Sequence, residues 1–284
     1  LLKPQDGHPV TVPTQDMILG SYYLTIVKDD EIGGKDYPER DKTEEWHPNY
    51  YTSEDEAMLA YFNGAVGLHT PIKVRREKNV HGVPYSRIID ATVGKLIFNA
   101  NIPQDLGNVD RTPGGETMLD LEVDEVVGKK QLGKIIDKCI RIHDTTKTAE
   151  VLDKIKATGY KYSTLGALTV SVSDIEVPEK KKELLADAEK QIDAIAKKYR
   201  RGLLTNEDRY NEVIQVWGAT TDKVTEAMMD HMDKFNPIFM MADSGARGSV
   251  NQIRQLAGMR GLMADTKGRA VEIPIRANFR EGLN

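Results

Sequence analysis

Two long apolar stripes at helical spacing, separated by only a few residues, constrain this chain more than any other feature of its sequence. The first stripe follows Pro178, which suits a first-turn position, and we expect its helix to stop at Gly202. The second begins after Thr205, which forms a capping-box-like pair with Asp208. Because the connection is so short, the two helices of residues 178–233 must pack antiparallel. The stripes comprise Leu184, Leu185, Ala188, Ile192, Ile195 and Tyr199, then Tyr210, Val213, Ile214, Trp217, Val224, Ala227 and Met228.

Charged residues crowd the short connection at the tip of this predicted hairpin. An antiparallel pair buries its apolar stripes between the two helices, so we expect the tip charges to have no partner within the chain. This favours a protruding hairpin that presents its tip to solvent or to another protein. An ordinary pair of core helices is the alternative. The residues expected at the docking tip are Arg200, Arg201, Asn206, Glu207 and Arg209.

The rest of the chain mixes short helices with short strands. The predicted fold class is therefore α+β, mainly helical, with a small mixed domain plus a long antiparallel helical hairpin, or coiled coil. Residues 28–57 and 103–125 are predicted to be irregular, because glycine, proline and acidic residues interrupt any period. Short strands are predicted at residues 10–12, 65–76 and 84–98. Helices are predicted at residues 16–24, 54–63, 129–142 and 146–157, with Thr14 and Ser53 as N-caps of the first two and Gly159 ending the last.

The composition disfavours several classes of protein. No apolar run in the 284 residues approaches the ~20 residues of a membrane span, and no signal peptide is visible. The single cysteine, Cys139, excludes an internal disulfide and suits a reducing cytosol. The six histidines share no ligand-like spacing, and no phosphate loop or Gly-x-Ser-x-Gly elbow occurs. The sequence therefore predicts no catalytic residue and no metal ligand, and a stand-alone small-molecule enzyme is the least favoured interpretation.

One stretch near the end of the chain has the residues of a candidate phosphate-binding segment. Residues 239–249 place an apolar, strand-like run before two glycines, two serines and Arg247, and helical spacing follows at residues 252–260. Glycines that lead into a helix N-terminus expose backbone N–H groups, which suits a phosphate. Arg247 adds a rigid, permanently charged fork for phosphate oxygens. A structural turn before a buried helix explains the same pattern equally well.

Eight runs of residues, several of them long, are distributed from one end of the chain to the other. They are Leu1-Leu-Lys-Pro-Gln-Asp-Gly7, Val12-Pro-Thr-Gln-Asp-Met-Ile-Leu-Gly20, Asp90-Ala-Thr-Val-Gly94, Gly128-Lys-Lys-Gln-Leu-Gly133, Val177-Pro-Glu-Lys-Lys-Lys182, Met240-Met-Ala-Asp-Ser-Gly-Ala-Arg-Gly-Ser249, Gln252-Ile-Arg-Gln-Leu-Ala-Gly-Met-Arg-Gly-Leu-Met263 and Ala277-Asn-Phe-Arg-Glu-Gly-Leu-Asn284. These runs resemble the β′ subunit family of bacterial RNA polymerases. The resemblance is strongest near the end, and shorter runs follow the family's order in between. Because residue 1 is Leu and the similar runs reach both ends, the chain is expected to be an internal piece of a longer subunit.

The resemblance implies three successive parts. Residues 1–140 would be similar to the pore domain beside the RNA 3′ end, with an insertion-like region at about 28–90. Residues 141–235 would be similar to the funnel, whose hairpin at 178–233 forms the rim of the secondary channel. Residues 236–284 would be a substrate-proximal segment that leads to the bridge helix. The family's magnesium-binding aspartates and its trigger loop lie outside these runs, so the chain alone is expected to hold no cofactor and to be inactive.

The resemblance also implies roles for single residues. Arg247 corresponds to an arginine that contacts the triphosphate of the incoming nucleotide, and Met241 lies in the same substrate-proximal run. Gln15 matches a glutamine that lines the site where the nucleotide enters, although a residue beside a helix start is as often purely structural. The hairpin tip would be the site where Gre-type cleavage factors bind the polymerase.

As part of a cytoplasmic complex, the chain would thus support transcription by a DNA-directed RNA polymerase, a nucleotidyltransferase. Its expected partners are the β, α, ω and σ subunits, nucleoside triphosphates, the RNA 3′ end and the DNA template, with no membrane partner. The alternative is a protein-binding module for secondary-channel elongation factors that has no catalytic role.

Overall fold

The computed structural model describes residues 2–40, 43 and 45–282, and it confirms an α+β fold that is mainly helical. Contacts between residues divide the chain into two compact units. Unit 1 comprises Leu1–Leu168 with Ser244–Ala246, and unit 2 comprises Thr169–Asp243 with Arg247–Asn284. The division into three parts at residues 140 and 235 stays a prediction.

Unit 1 packs helices against a small sheet. Residues 28–90, which the sequence suggested as an insertion, supply most of that sheet, and β2 and β3 send Ile72, Val74 and Ile89 into the core. The irregular character predicted for residues 103–125 is confirmed, since they lie between α3 and α4. The elements are α1 (Asp16–Thr25), β1 (Asn49–Tyr51), α2 (Glu54–Phe62), β2 (Ile72–Val80), β3 (Val83–Ala91), α3 (Val93–Ala100), α4 (Lys129–Ile142) and α5 (Thr145–Leu165).

The sheet of unit 1 has the strand order β1-β2-β3. β1 runs parallel to β2 with Asn49 opposite Ile72, and β2 runs antiparallel to β3 with Ile72 opposite Ala91. The β2–β3 connection is the two-residue turn His81-Gly82, in which both residues have positive φ, 53° and 83°. A turn of that kind matches the right-handed twist of two antiparallel strands, so it fixes their register.

Helices α1 and α5 cross at two glycines. A Cβ on Gly159 would lie 2.6 Å from the carbonyl oxygen of Met17, so only a glycine allows this approach. The prediction that Gly159 ends its helix was wrong, because α5 continues to Leu165 and uses this glycine for packing.

Other predictions for unit 1 were wrong in whole or in part, and the strand predicted at residues 65–76 begins only at Ile72. No strand forms at residues 10–12, and the predicted strand at 84–98 changes into helix α3 when Thr92 accepts a hydrogen bond from the Lys95 backbone. Gln15, and not Thr14, occupies the N-cap position of α1. By contrast, Ser53 caps α2 as predicted, and α4 spans the predicted residues 129–142.

Unit 2 is built around the predicted helical hairpin, which the structure confirms. α6 (Lys181–Arg200) and α7 (Asn206–His231) bury a seam between them, although α6 begins three residues after Pro178. Two shorter helices, α8 (Pro237–Asp243) and α9 (Val250–Ala257), follow. The prediction of a strand-like run before Arg247 was wrong, because those residues form the helix α8. The buried seam residues are Ala188, Ile195, Val213, Trp217 and Val224, joined by Met259 from beyond α9.

Residues 261–275 form a short ribbon that lies along α7. Two isolated antiparallel bridges, Gly261 to Ile275 and Ala264 to Ala270, hold the ribbon together. The hydroxyl of Tyr210 in α7 donates to the carbonyl of Ala270 at 2.9 Å. One face of the hairpin is therefore covered by the chain itself.

Candidate functional site

Arg247 lies on the connection between α8 and α9. Its backbone N–H donates to the carbonyl of Met241 at 3.1 Å, which draws the two residues together. Gly248 follows with a φ of 85°, a conformation that favours glycine, and Ser249 is the N-cap position of α9. Arg247 is exposed, and within the described residues its guanidinium has neither a hydrogen bond nor an ion pair.

A cavity of about 560 Å³ opens beside Arg247. Its wall is mostly apolar, and polar groups come from Arg247 and two glutamines of α9. The structure therefore brings the two predicted substrate-binding residues of unit 2, Arg247 and Met241, to one cavity. The other lining residues are Val170, Ile175, Ile238, Ala242, Gly248, Gln252, Ile253, Gln255, Leu256 and Phe279.

Phe279 is a cavity residue that the sequence did not single out. It arrives from the far end of the chain, where its backbone N–H donates to the carbonyl of Gln255 at 3.0 Å. An aromatic residue in a segment without helical or strand period could have indicated a role for Phe279. The fold alone determines that its ring lies at this cavity.

Gln15, the third predicted substrate-binding residue, belongs to unit 1. It is exposed and has φ 47° and ψ −117°, a strained backbone for a residue other than glycine. Its side chain makes no capping hydrogen bond, while its carbonyl accepts from Ile18 and Leu19. Backbone strain of this kind costs ~1–3 kcal/mol and is frequent at functional sites. Gln15 therefore stays a candidate functional residue. Its membership of the same site stays a prediction.

The hairpin tip contains both free and engaged charges. Arg200 and Arg201 are exposed, and within the described part of the chain neither side chain has a hydrogen bond or ion pair. Glu207 is likewise exposed. Leu203, between the helices, is 69% exposed, which the sequence reasoning missed because it considered only the charges.

Arg209 contradicts the expectation that tip charges have no partner within the chain. Its guanidinium donates to both carboxylate oxygens of Glu272, at 2.5 and 2.8 Å, and to the side-chain oxygen of Asn206. Its guanidinium carbon also lies 5.4 Å from the ring centre of Tyr199. The expectation was wrong for Arg209 because the ribbon of residues 261–275 returns to the hairpin, which local periodicity does not reveal.

The ion pair perturbs both of its groups. Hydrogen bonding from Arg209 holds the pKa of the Glu272 carboxyl below its usual value, against the opposing effect of partial burial. The same hydrogen bonds raise the pKa of Arg209. Both groups are therefore charged over the whole neutral range, and the ribbon is attached to α7 by a bidentate pair.

The described residues offer no candidate metal centre. Among them, no group of three or more histidine, cysteine, aspartate or glutamate side chains is placed to hold a metal ion. Nor is any helix within the described ranges long and apolar enough to cross a membrane.

Comparisons with known proteins decide the family. The family model for RNA polymerase Rpb1, domain 3, matches residues 1–175, and the model for domain 4 matches residues 204–280. The DNA-directed RNA polymerase subunit β′ of Acetivibrio thermocellus is 55% identical over 283 residues, which cover 100% of this chain. This chain belongs to the RNA polymerase β′ subunit family.

Other β′ subunits give the same picture. Those of Thermoanaerobacter pseudethanolicus and Clostridium acetobutylicum are 57% and 56% identical, again over 100% of this chain. The chain spans only 23% of the length of each of these three relatives. Met241 and Arg247 fall within the domain 4 match and Gln15 within the domain 3 match, whereas the whole of α6 lies between the two.

Proposed function

We propose that this β′ chain lines the secondary channel of a cytoplasmic DNA-directed RNA polymerase and helps to position the incoming nucleoside triphosphate. The observation that carries the proposal is the exposed guanidinium of Arg247, which has no partner in the described part of the chain and lies with Met241 at one cavity. Arginine suits a triphosphate because its planar fork matches phosphate oxygens and stays charged.

Three other arginines of unit 2 already have partners in the described residues, unlike Arg247. Arg269 stacks on the ring of Tyr210, with 4.1 Å from its guanidinium carbon to the ring centre. Arg260 stacks on Phe279, and Arg276 is paired with Glu189. A side chain that is kept charged and free at the edge of a cavity is available for a ligand, whereas these others hold the fold together.

The proposed role is positioning and not bond making. Phosphoryl transfer relies mainly on alignment of the reactants and on stabilisation of charge. Two-metal catalysis needs carboxylates that hold magnesium, and we place that ion on a part of the subunit outside this chain. The chain would act with the β, α, ω and σ subunits on the RNA 3′ end and the DNA template. Alone it should be inactive, and nucleotide addition by the purified chain above a protein-free control would contradict this.

The deciding experiment is nucleotide addition by an assembled polymerase that carries Arg247→Ala. A higher apparent KM for nucleotide, or slower addition, supports the proposal. An unchanged rate and KM at limiting nucleotide would show that Arg247 is structural.

A second function, docking of Gre-type secondary-channel factors, is favoured by the composition of the hairpin tip. Arg200, Arg201 and Leu203 together offer two free cations and an exposed apolar side chain. Arginine anchors are frequent at protein interfaces, and charge mainly adds steering and specificity. Titration of a cleavage factor against the wild type and against Arg200→Glu/Arg201→Glu tests this function separately from nucleotide binding.

A further inference from the structure

Lys181, the first residue of α6, is a buried lysine. Its side chain is only 4% exposed, and its ammonium group lies 2.6 Å from a carboxylate oxygen of Glu281. A buried ammonium group is costly unless a carboxylate compensates it. Residue 281 is therefore strongly tied to the start of α6.

Glu281 is in turn hydrogen-bonded to Asn278. The backbone N–H of Asn278 donates to the Glu281 carboxylate at 3.2 Å, and the backbone N–H of Glu281 donates to the Asn278 side-chain oxygen at 2.8 Å. The Asn278 amide nitrogen donates to the carbonyls of Ala257 and Gly258, at 2.9 and 3.0 Å. Asn278 is fully buried, and its amide satisfies carbonyls left free at the end of α9.

Phe279 lies between these two anchored residues. Its backbone N–H and that of Arg280 donate to the carbonyls of Gln255 and Leu256 in α9, at 3.0 and 3.3 Å. Its ring lines the cavity that Arg247 and Met241 also line. The position of this aromatic wall therefore depends on a connected set of polar contacts that runs from α6 to the C-terminal end of α9.

We propose that Lys181, Glu281 and Asn278 are positioning residues for the nucleotide site: by fixing residues 278–281 to α6 and α9, they hold Phe279 in the wall of the Arg247 cavity. They act through Phe279 and the backbone, without touching the nucleotide. This inference rests on the proposed function of Arg247.

Substitutions at two neighbouring lysines test the inference. Lys181→Met keeps the apolar stem and removes the charge that pairs with Glu281, whereas Lys181→Arg retains a cation that can reach it. Lys182→Met is the matched control, because Lys182 is the exposed next residue of the same helix. Glu281→Gln is the second disrupting variant, and it keeps an oxygen that can accept from the Asn278 backbone.

Two measurements are made on each variant. Hydrogen exchange of the full chain reports the protection of the Phe279 and Arg280 amides, and nucleotide addition by the assembled polymerase reports KM and kcat separately. We expect Lys181→Met and Glu281→Gln to speed exchange at both amides at least tenfold and to raise the nucleotide KM several-fold. Lys181→Arg should restore most of both properties, and Lys182→Met should change neither.

The outcomes separate the two proposals. Faster exchange with unchanged KM and kcat, while Arg247→Ala does raise KM, overturns the positioning role and leaves the function of Arg247 standing. Unchanged exchange at Phe279 and Arg280 also overturns it, because the polar contacts would then not hold the segment. If Arg247→Ala leaves KM unchanged, the proposed function fails and the positioning role falls with it.

Discussion

The backbones of Gly20 and Gly159 are in direct contact: a Cβ placed on Gly20 would lie 1.9 Å from the carbonyl oxygen of Gly159. Gly20 is in α1 and Gly159 is in α5, so the crossing of these two helices leaves no room for a side chain. Because the obstacle is backbone, it cannot be relieved by a change of rotamer. Both helices would have to move apart.

Alanine at position 20 should therefore destabilise unit 1. We expect Gly20→Ala to lower the free energy of unfolding by about 2–3 kcal/mol, near the upper end for an overpacked core. Gly133→Ala in α4 is the control, because nothing lies within 4 Å of its Cβ and alanine favours a helix by roughly 0.5–1 kcal/mol. Urea unfolding followed by circular dichroism measures both. Equal effects of the two substitutions would contradict the close contact.

This glycine pair also marks the limit of sequence reasoning. The helical spacing of α5 was readable, but Gly159 looked like a helix end because glycine is a poor helix former and a frequent C-cap. Its tertiary contact with α1 overrides that local tendency. The α6–α7 hairpin was predictable because its signals, from the apolar stripes to the Thr205 cap, are all local.

The candidate site divides in the same way. Arg247 could be singled out from the glycines and serines around it, whereas Met241 was expected only from the resemblance to the β′ family. Phe279 and Glu272 could not be given their roles, because each meets its partners across a long separation along the chain. Leu203 could have been noticed from the sequence, because it is an apolar residue in an otherwise polar loop.

Glu31 in unit 1, which is paired with the buried side chain of His69, gives the stability of the fold a pH dependence. One ring nitrogen of His69 lies 2.6 Å from a Glu31 carboxylate oxygen, and the other lies 2.7 Å from the carbonyl of Tyr23. The backbone N–H of His69 also donates to Glu31, at 2.9 Å. Burial acts to raise the pKa of Glu31, but its hydrogen bonds to His69 outweigh this, and the pKa is lowered from its usual 4.5.

The sign of the effect follows from that direction. A carboxyl group with a lowered folded-state pKa stabilises the fold above about pH 4.5, and this contribution is lost as the pH falls through the folded-state pKa. We expect Glu31→Gln to cost roughly 1.5–3 kcal/mol at pH 6, the scale of hydrogen bonds to a charged group, and much less at pH 3. Urea unfolding at several pH values checks this. Glu45→Gln, at an exposed position, is the control, and a pH-independent difference for Glu31→Gln would contradict the assignment.

The tip arginines should separate into two classes when their charges are reversed. Arg200 and Arg201 are free, so Arg200→Glu/Arg201→Glu should weaken the binding of a cleavage factor by roughly tenfold at low salt, with unchanged helical content. Because exposed charges are screened, the difference should shrink at high salt. Equal affinities at low salt would mean that the factor binds elsewhere.

Arg209→Glu should behave differently, because it also breaks the bidentate pair with Glu272. We expect it to lower the free energy of unfolding of unit 2 by about 1 kcal/mol, with like charges now facing each other. Restoring an opposite pair with Glu272→Arg should recover part of that loss. Thermal unfolding of the two variants measures it, and no recovery in the double variant would show that the pair contributes nothing.

The most informative single side chain is Arg247, since it is exposed and no group in the described residues pairs with it. Arg247→Ala should therefore leave the fold and polymerase assembly intact while removing one charge-assisted contact to phosphate, roughly 1.5–3 kcal/mol. That is a loss of about 10- to 150-fold in kcat/KM for nucleotide. Arg247→Lys should recover only part of it, because lysine keeps the charge without the planar fork. Arg201 is another exposed arginine of unit 2 without a partner in the described residues. Its substitution Arg201→Ala is the control and should leave the nucleotide KM unchanged. Single-nucleotide addition at limiting substrate distinguishes these variants. A full-activity Arg247→Ala enzyme would mean that the free guanidinium beside this cavity does not meet the triphosphate.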